Sequence, residues 1–411
     1  MISSLSLFAL SLAPATTLCS AAVPTEHAAE RLVIFAERAF TQPGEVVENA
    51  TIIVEDGKIT SVRGGTLAGD ADLRAACVTA GLVDMSFRYS RHQNTVEQSA
   101  EITAAARITP MLDLHARGWE RALRQGITTV AVFPVDRNVV GGQGAVLKTG
   151  GEATLEARLL RADAFLRGAM GSEPSSGNRS SGARPANFYA RRPTTRMGVE
   201  WEWRKAFYDA WQAEQRGEEP DANQAELLRA LSGETPVFIQ AWATQDIRTA
   251  VFFAEEMAAE GMGTMRLIID AGAEAWREPD LLVRSKAAVC LPPLPAAGRT
   301  TERAFMSMNT AAKLHAAGVP VALSAHGNSG SGNTLAEQVF YARRGGLPFD
   351  AALAAVTTVP ATLLGVSDRV GTIADGRDAD LVLWNGTPFE LTSRPVGVVL
   401  NGVTLIGGET D

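Results

Sequence analysis

Thr79-Ala80-Gly81-Leu82-Val83-Asp84-Met85-Ser86-Phe87-Arg88 divides the chain into two patterns. Before it, 31–40 and 50–64 alternate apolar and polar residues around Asp56-Gly57, a strong β-hairpin turn. After it, short apolar runs alternate with helix-length segments. The runs are 81–87, 128–134, 144–150, 235–241, 265–271, 287–293 and 319–325, and an eighth is expected within 157–168. Near-continuous apolar strands suit a parallel sheet covered on both faces. The segment 246–261 places Ile247, Ala250, Val251 and Ala254 on one helical stripe, with Gly261 as its stop, and 301–318 ends similarly at Gly318.

This alternation predicts an α/β fold, a (β/α)₈ TIM barrel. The far end of the chain turns strand-rich again at 378–386 and 395–408, with Asn401-Gly402 as a second hairpin turn. The two β ends are expected to pair into one small β-sandwich-like domain. The expected organisation is therefore 31–80 plus 367–411 as a composite β domain and 81–366 as the barrel.

The 411 residues suit that arrangement, and a net charge of -8 gives no reason to expect nucleic acid as a partner. Only five of the 38 basic residues are lysine. Residues 1–22 contain a short apolar run followed by Ser20-Ala21-Ala22, without a basic start. This reads as a signal peptide and a periplasmic or secreted protein, against a cytoplasmic alternative with a disordered leader. Cys19 falls in that leader. No stretch is long and apolar enough to span a membrane. Cys77 and Cys290, in apolar surroundings, read as buried thiols, too few for a disulfide framework. Segment 171–198, rich in Ser, Gly, Pro and Arg, reads as a long loop over the barrel face, with Phe188 and Tyr189 as candidate anchors.

The first strand is similar to that of the amidohydrolase superfamily, especially its imidazolonepropionase-like and dihydroorotase-like members, which read "PGLIDxHxH" there. Further resemblances are Gly141–Lys148 to "GGQGAVIK", Pro193–Gly198 to "PSTRMG", and 368–382 to "DRVGSLEPGKDADLVI". They span about 31–408. The resemblance implies a divalent metal, zinc, held by strand-end histidines, and hydrolysis of C–N bonds other than peptide bonds. Aligned on these motifs, Ser86 and Arg88 stand where the family has its two histidines. Gln240 replaces the histidine of "PVFIHA", and Ala271 that of "IEHGTEA". His326 replaces the aspartate of "VALGTD". Serine is a poor ligand, and arginine, always protonated, is none.

The expectation is a catalytically degenerate member with no metal site and no cofactor. Its vacated pocket, Ser86, Arg88, Gln240, Ala271 and His326, would bind a small polar or acidic ligand. Alternatively the chain would form a homo- or hetero-oligomer beside an active amidohydrolase. A further alternative is an active hydrolase of cyclic amides or small peptides with a remodelled, metal-poor site using Ser86, Arg88 and His326. For Arg88 the plainer reading is pairing with Asp84, Asp270 or Glu274 to fill the vacated site. Some family members bridge two metals with a carbamylated lysine, but Lys148 lies in a different frame and reads as a satisfied strand-end lysine. GGQG does not match a phosphate loop. His92 stands alone, and His115 and His315 read as surface or helix-end residues.

Overall fold

The computed structural model describes residues 31–66, 69–90, 95–97, 99–175, 192–294, 301–326 and 333–407. The leader with Cys19, as well as His92, Phe188 and Tyr189, lies outside these. Among the described residues, no helix is long and apolar enough to cross a membrane.

Both β ends pair as their hairpin turns suggest. Strands β1 (Arg31–Gln42), β2 (Glu45–Glu55), β3 (Lys58–Gly64) and β4 (Leu73–Ala80) supply one part of a seven-stranded sheet. The barrel strands are β5 (Leu82–Asp84), β6 (Ile127–Val132), β7 (Val140–Lys148), β8 (Leu159–Ala169), β9 (Val237–Gln240), β10 (Leu267–Asp270), β11 (Ala288–Leu291) and β12 (Val321–Leu323). The chain then returns through β13 (Leu381–Trp384), β14 (Pro395–Leu400) and β15 (Val403–Ile406), giving the order β15-β14-β13-β4-β1-β2-β3. The expected composite sheet is present. Its two hairpin turns, Asp56-Gly57 and Asn401-Gly402, have positive φ at both residues, as a type I′ turn requires. They also abut: a Cβ on Gly57 would lie 2.8 Å from the Asn401 carbonyl oxygen. Buried Ile34, Ile52, Val54, Val78, Leu381 and Val399 form this sheet's core.

The eight barrel strands follow chain order, β5 through β12, and form a near-closed barrel. The expected strand of 157–168 is present as β8, Leu159–Ala169. One expectation needs correction: β7 runs antiparallel to both β6 and β8. The reason is connection length. Only 133–139 joins β6 to β7, too short for the crossover a parallel pair needs. This short return carries Asp136 to the C-terminal ends of the strands. The GGQG run is β7 itself. Its Gln143 amide donates to the Ala104 carbonyl and Glu226, and Gly144 lets the Phe165 ring pack where a Cβ would stand 2.3 Å away. Helix Thr244–Ala259 matches the expected 246–261 element. The 301–318 element is shorter than expected, a 3₁₀ turn at Thr301–Arg303 and a helix at Thr310–Ala316. Cys77 and Cys290 are buried free thiols, and His115 and His315 are exposed. Inside the barrel, Phe133, Phe165 and Phe238 meet edge to face.

Candidate functional site at the barrel mouth

In this fold, chemistry sits at the C-terminal strand ends. The central group there is one that sequence reasoning missed. Arg167, near the end of β8, is 1 % exposed. Its Nε donates to Asp136 Oδ1 at 2.6 Å, and its Nη2 donates to Asp136 Oδ2 at 2.9 Å and Asp270 Oδ2 at 2.7 Å. Its guanidinium lies over the Phe133 ring at 3.9 Å and the Phe238 ring at 4.8 Å. Burial alone would lower its pKa, but the Asp136 and Asp270 carboxylates outweigh that and raise it. The cation is thus held in a dry site by two anions and two aromatic faces.

Three of the substituted positions converge on the same carboxylates. Ser86 Oγ donates to Asp270 Oδ2 at 3.2 Å. Gln240 Nε2 donates to Asp136 Oδ2 at 2.8 Å, and Arg88 Nη2 approaches that oxygen at 3.3 Å. Arg167 therefore sits among the positions that the resemblance assigns to metal ligands. Arg88 is 40 % exposed and pairs with Asp136 rather than with Asp84, Asp270 or Glu274, so the group filling the centre is Arg167. Ala271 and His326 complete the set with unusual backbones, φ +58° and +54°, in a left-handed conformation uncommon for residues with a Cβ. The Ala271 methyl packs with Trp242 and Ala273.

This donor set does not fit zinc. A guanidinium, a methyl group, an amide and a hydroxyl replace imidazoles, and a fixed cation lies between the carboxylates. Among the described residues, no group of three or more His, Cys, Asp or Glu is arranged to hold a metal ion.

Asp84 and His326 hold the rim where the first and last barrel strands meet. Asp84 Oδ1 accepts from Ser86 N at 3.0 Å and Ser324 Oγ at 2.6 Å, while Oδ2 accepts from Ala325 N at 3.2 Å. Burial pushes its carboxyl up to about 6 against those hydrogen bonds. His326 is pulled down to about 3, first by burial and then by Arg88, Arg167 and Arg303. Its backbone N–H donates to Ser324 Oγ. The Ser86 hydroxyl is committed to Asp270, and no Ser86–His326 hydrogen bond is present among the described residues.

The two shifts give opposite pH dependences. A depressed His326 contributes stability that is complete above about pH 6.5 and is lost as pH falls toward 3. A raised Asp84 contributes stability that is complete below its unfolded value near 4 and is lost as pH rises through about 6. Urea titrations from pH 4 to 7 should show stability declining more steeply with acid in Asp84→Asn than in wild type, and less steeply in His326→Gln. Parallel curves for all three would contradict this assignment.

A cleft of about 590 Å³ opens on the same face of the barrel, among connections that follow the strands. It is lined by Glu173, Arg196, Glu274, Arg277, Glu302 and Arg303, all on connections that follow β8, β10 or β11. Thr195 caps the helix Arg196–Gln215, and Arg196 Nε reaches Asp246 Oδ1 at 2.8 Å. The "PSTRMG" resemblance thus corresponds to a helix start at the cleft rim. Lys148 points away from the mouth, into the contact between barrel and composite sheet, and is fully paired there.

The sequence model of a family described as the amidohydrolase family matches residues 284–405. Amidohydrolase tasK from Hapsidospora irregularis is 27% identical over 414 residues, covering 85% of this chain, while the chain spans only 39% of that protein's length. An amidohydrolase from Thermotoga maritima MSB8 superposes with a TM-score of 0.79 at 27% identity, covering 92% of this chain and all of the other. A Xaa-Pro dipeptidase with methionine bound in its active site shares the fold at 16% identity and a TM-score of 0.56, over 92% and 100% of the two chains.

Proposed function

We propose that this chain, which belongs to the amidohydrolase superfamily, has exchanged metal-activated hydrolysis for binding a small polar ligand at its barrel mouth. The observation carrying this reading is the Arg167 guanidinium, bonded to both Asp136 and Asp270 among the substituted ligand positions. A metal in this fold lowers the pKa of bound water and polarises a carbonyl. An arginine supplies positive charge but neither Lewis acidity nor an exchangeable coordination site. Asp84 already accepts three hydrogen bonds from the protein and offers no clear path for moving protons. The open cleft on the same face of the barrel leaves room for a ligand. A non-catalytic subunit role beside an active relative would follow from the same replacement.

The test is equilibration with zinc, exhaustive dialysis and metal analysis, together with assays on cyclic amides and dipeptides. The expected result is no stoichiometric zinc and no hydrolysis above buffer. Retention of one zinc per chain would overturn the reading. Hydrolysis that survives chelation and is lost in Ser86→Ala or His326→Asn would favour the alternative, a remodelled metal-poor hydrolase.

A further inference from the structure

The connection from β11 to β12 does not stay beside its own strands. Its residues 302–308 reach back across the ends of β10 and β9. Met306 packs against Trp242, Ala271 and Ala273, all buried, which follow β9 and β10. Arg303 lies over the Trp242 ring at 4.3 Å, and that ring in turn meets His326 edge-on at 6.4 Å. Glu302 reaches further still, to an ion pair with Arg196. The segment thus covers Ala271, one of the substituted ligand positions, and the Trp242 ring two residues beyond Gln240.

The cover is fastened lightly. Its regular structure is a single turn, Thr301–Arg303. Among the described residues, no backbone–backbone hydrogen bond joins 302–308 to a barrel strand. Side chains fasten it instead: the Glu302 carboxylate, the Arg303 guanidinium on Trp242, and Trp276 Nε1, which donates to the Phe305 carbonyl at 3.2 Å. Phe305 and Met308 are exposed. Space lies on both sides of the segment. Glu302, Arg303 and Phe305 line the charged cleft, whereas Met306, Ser307 and Met308 line a separate, largely apolar cavity. One end is seated firmly, because the Met308 carbonyl packs where a Cβ on Gly345 would stand 1.9 Å away. A segment with few buried contacts and open space beside it belongs to the low end of local stability.

We propose that residues 302–308 are a strap that closes the Trp242–Ala271 side of the mouth and lifts, about its seat at Met308, to admit a ligand. This rests on reading the mouth as a ligand site, but the opening itself is measured without ligand or metal. Arg303 on Trp242 is the latch, and Met306 is the plug over Ala271.

The experiment places a thiol beneath the strap with Ala273→Cys and follows its modification by N-ethylmaleimide under native conditions, residue by residue, by peptide mass spectrometry. Cys290, buried between barrel strands, reports global unfolding in the same molecules. The thiol at position 273 should react at least tenfold faster than Cys290, and at least tenfold faster again once Arg303→Ala is added, with Cys290 unchanged. Removing a cation disfavours the reactive thiolate, so this acceleration cannot come from charge. Adding the remote, exposed Glu120→Gln should change neither rate. Modification at 273 in step with Cys290, or a rate indifferent to Arg303→Ala, would overturn the proposal. Hydrogen exchange on the chain with its native Ala273 serves if the cysteine variant fails to fold. There Arg303→Ala should speed exchange of the Ala273 and Glu274 amides, which donate to the Ala271 and Trp242 carbonyls, and leave β9 and β10 protected. Unchanged exchange at both amides would equally overturn it. Zinc retention would sink the metal-free reading and leave the strap standing, while a failed latch would leave that reading untouched.

Discussion

Arg167→Met should destabilise the protein by about 3–5 kcal/mol, the cost of removing one partner from a buried ion pair. Three charge-assisted hydrogen bonds disappear, and two buried carboxylates lose their cation. The carboxylates are not affected equally. Asp136 keeps Arg88 and the Gln240 amide. Asp270 keeps the Ser86 hydroxyl but no other ion pair among the described residues. Adding Asp270→Asn to Arg167→Met should therefore recover more stability than adding Asp136→Asn. Urea unfolding of the single and double variants measures this, and the coupling within each pair follows from the double-mutant cycle. Equal rescue by both amides, or a single-variant cost below about 1 kcal/mol, would show that Arg167 is not the electrostatic centre of the mouth. Arg167→Lys is not conservative here, because one ammonium cannot reproduce a fork that spans two carboxylates.

The size of that effect bears on what the sequence could show. Strand ends were legible because their residues are consecutive: Ser86 and Arg88, Gln240, Ala271 and His326 stand in local frames. The composite sheet was legible because Asp56-Gly57 and Asn401-Gly402 mark type I′ hairpins at both ends of the chain. Strand direction was not, since an apolar run reads alike in either sense. The signal for antiparallel β7 was the shortness of 133–139. The Arg167 network was also hidden, because its bonds join residues 31 and 103 positions apart. A trace of it was present. An arginine inside an apolar strand covered on both faces must find a buried counter-charge, and Asp136 and Asp270 both follow or end such strands. The partner of Arg88 could not be chosen from sequence for the same reason: several acids lay at strand ends, and only the folded register selects among them.

The second large effect lies at the other end of the barrel, where Lys148, read from the sequence as a satisfied strand-end lysine, serves architecture. Lys148 is 1 % exposed, and its Nζ lies 2.7 Å from Asp378 Oδ2 and 2.9 Å from Asp380 Oδ1, with the Asn401 side-chain oxygen also in contact. These partners belong to the returning chain and the β14–β15 turn, so one ammonium ties the barrel strand β7 to the composite sheet. Asp378 also meets Lys58 and Arg369, the latter at 2.8 Å. Although burial would raise its pKa, Lys148 and these neighbours hold its carboxyl down to about 2. Asp380 Oδ1 receives the Asn401 backbone N–H at 2.9 Å, but its Oδ2 has no hydrogen-bond partner among the described residues. Lys148→Met should cost about 3–5 kcal/mol, because it strands buried carboxylates. Asp380→Asn should rescue that variant better than Asp378→Asn, since Asp378 retains two cations and Asp380 retains none among the described residues. Hydrogen exchange should localise the damage to β13–β15 and their contact with β7, with the Arg167 network still protected. Loss of protection spread evenly over the barrel, or better rescue by Asp378→Asn, would contradict the assignment of Lys148 as the clasp between the two sheets.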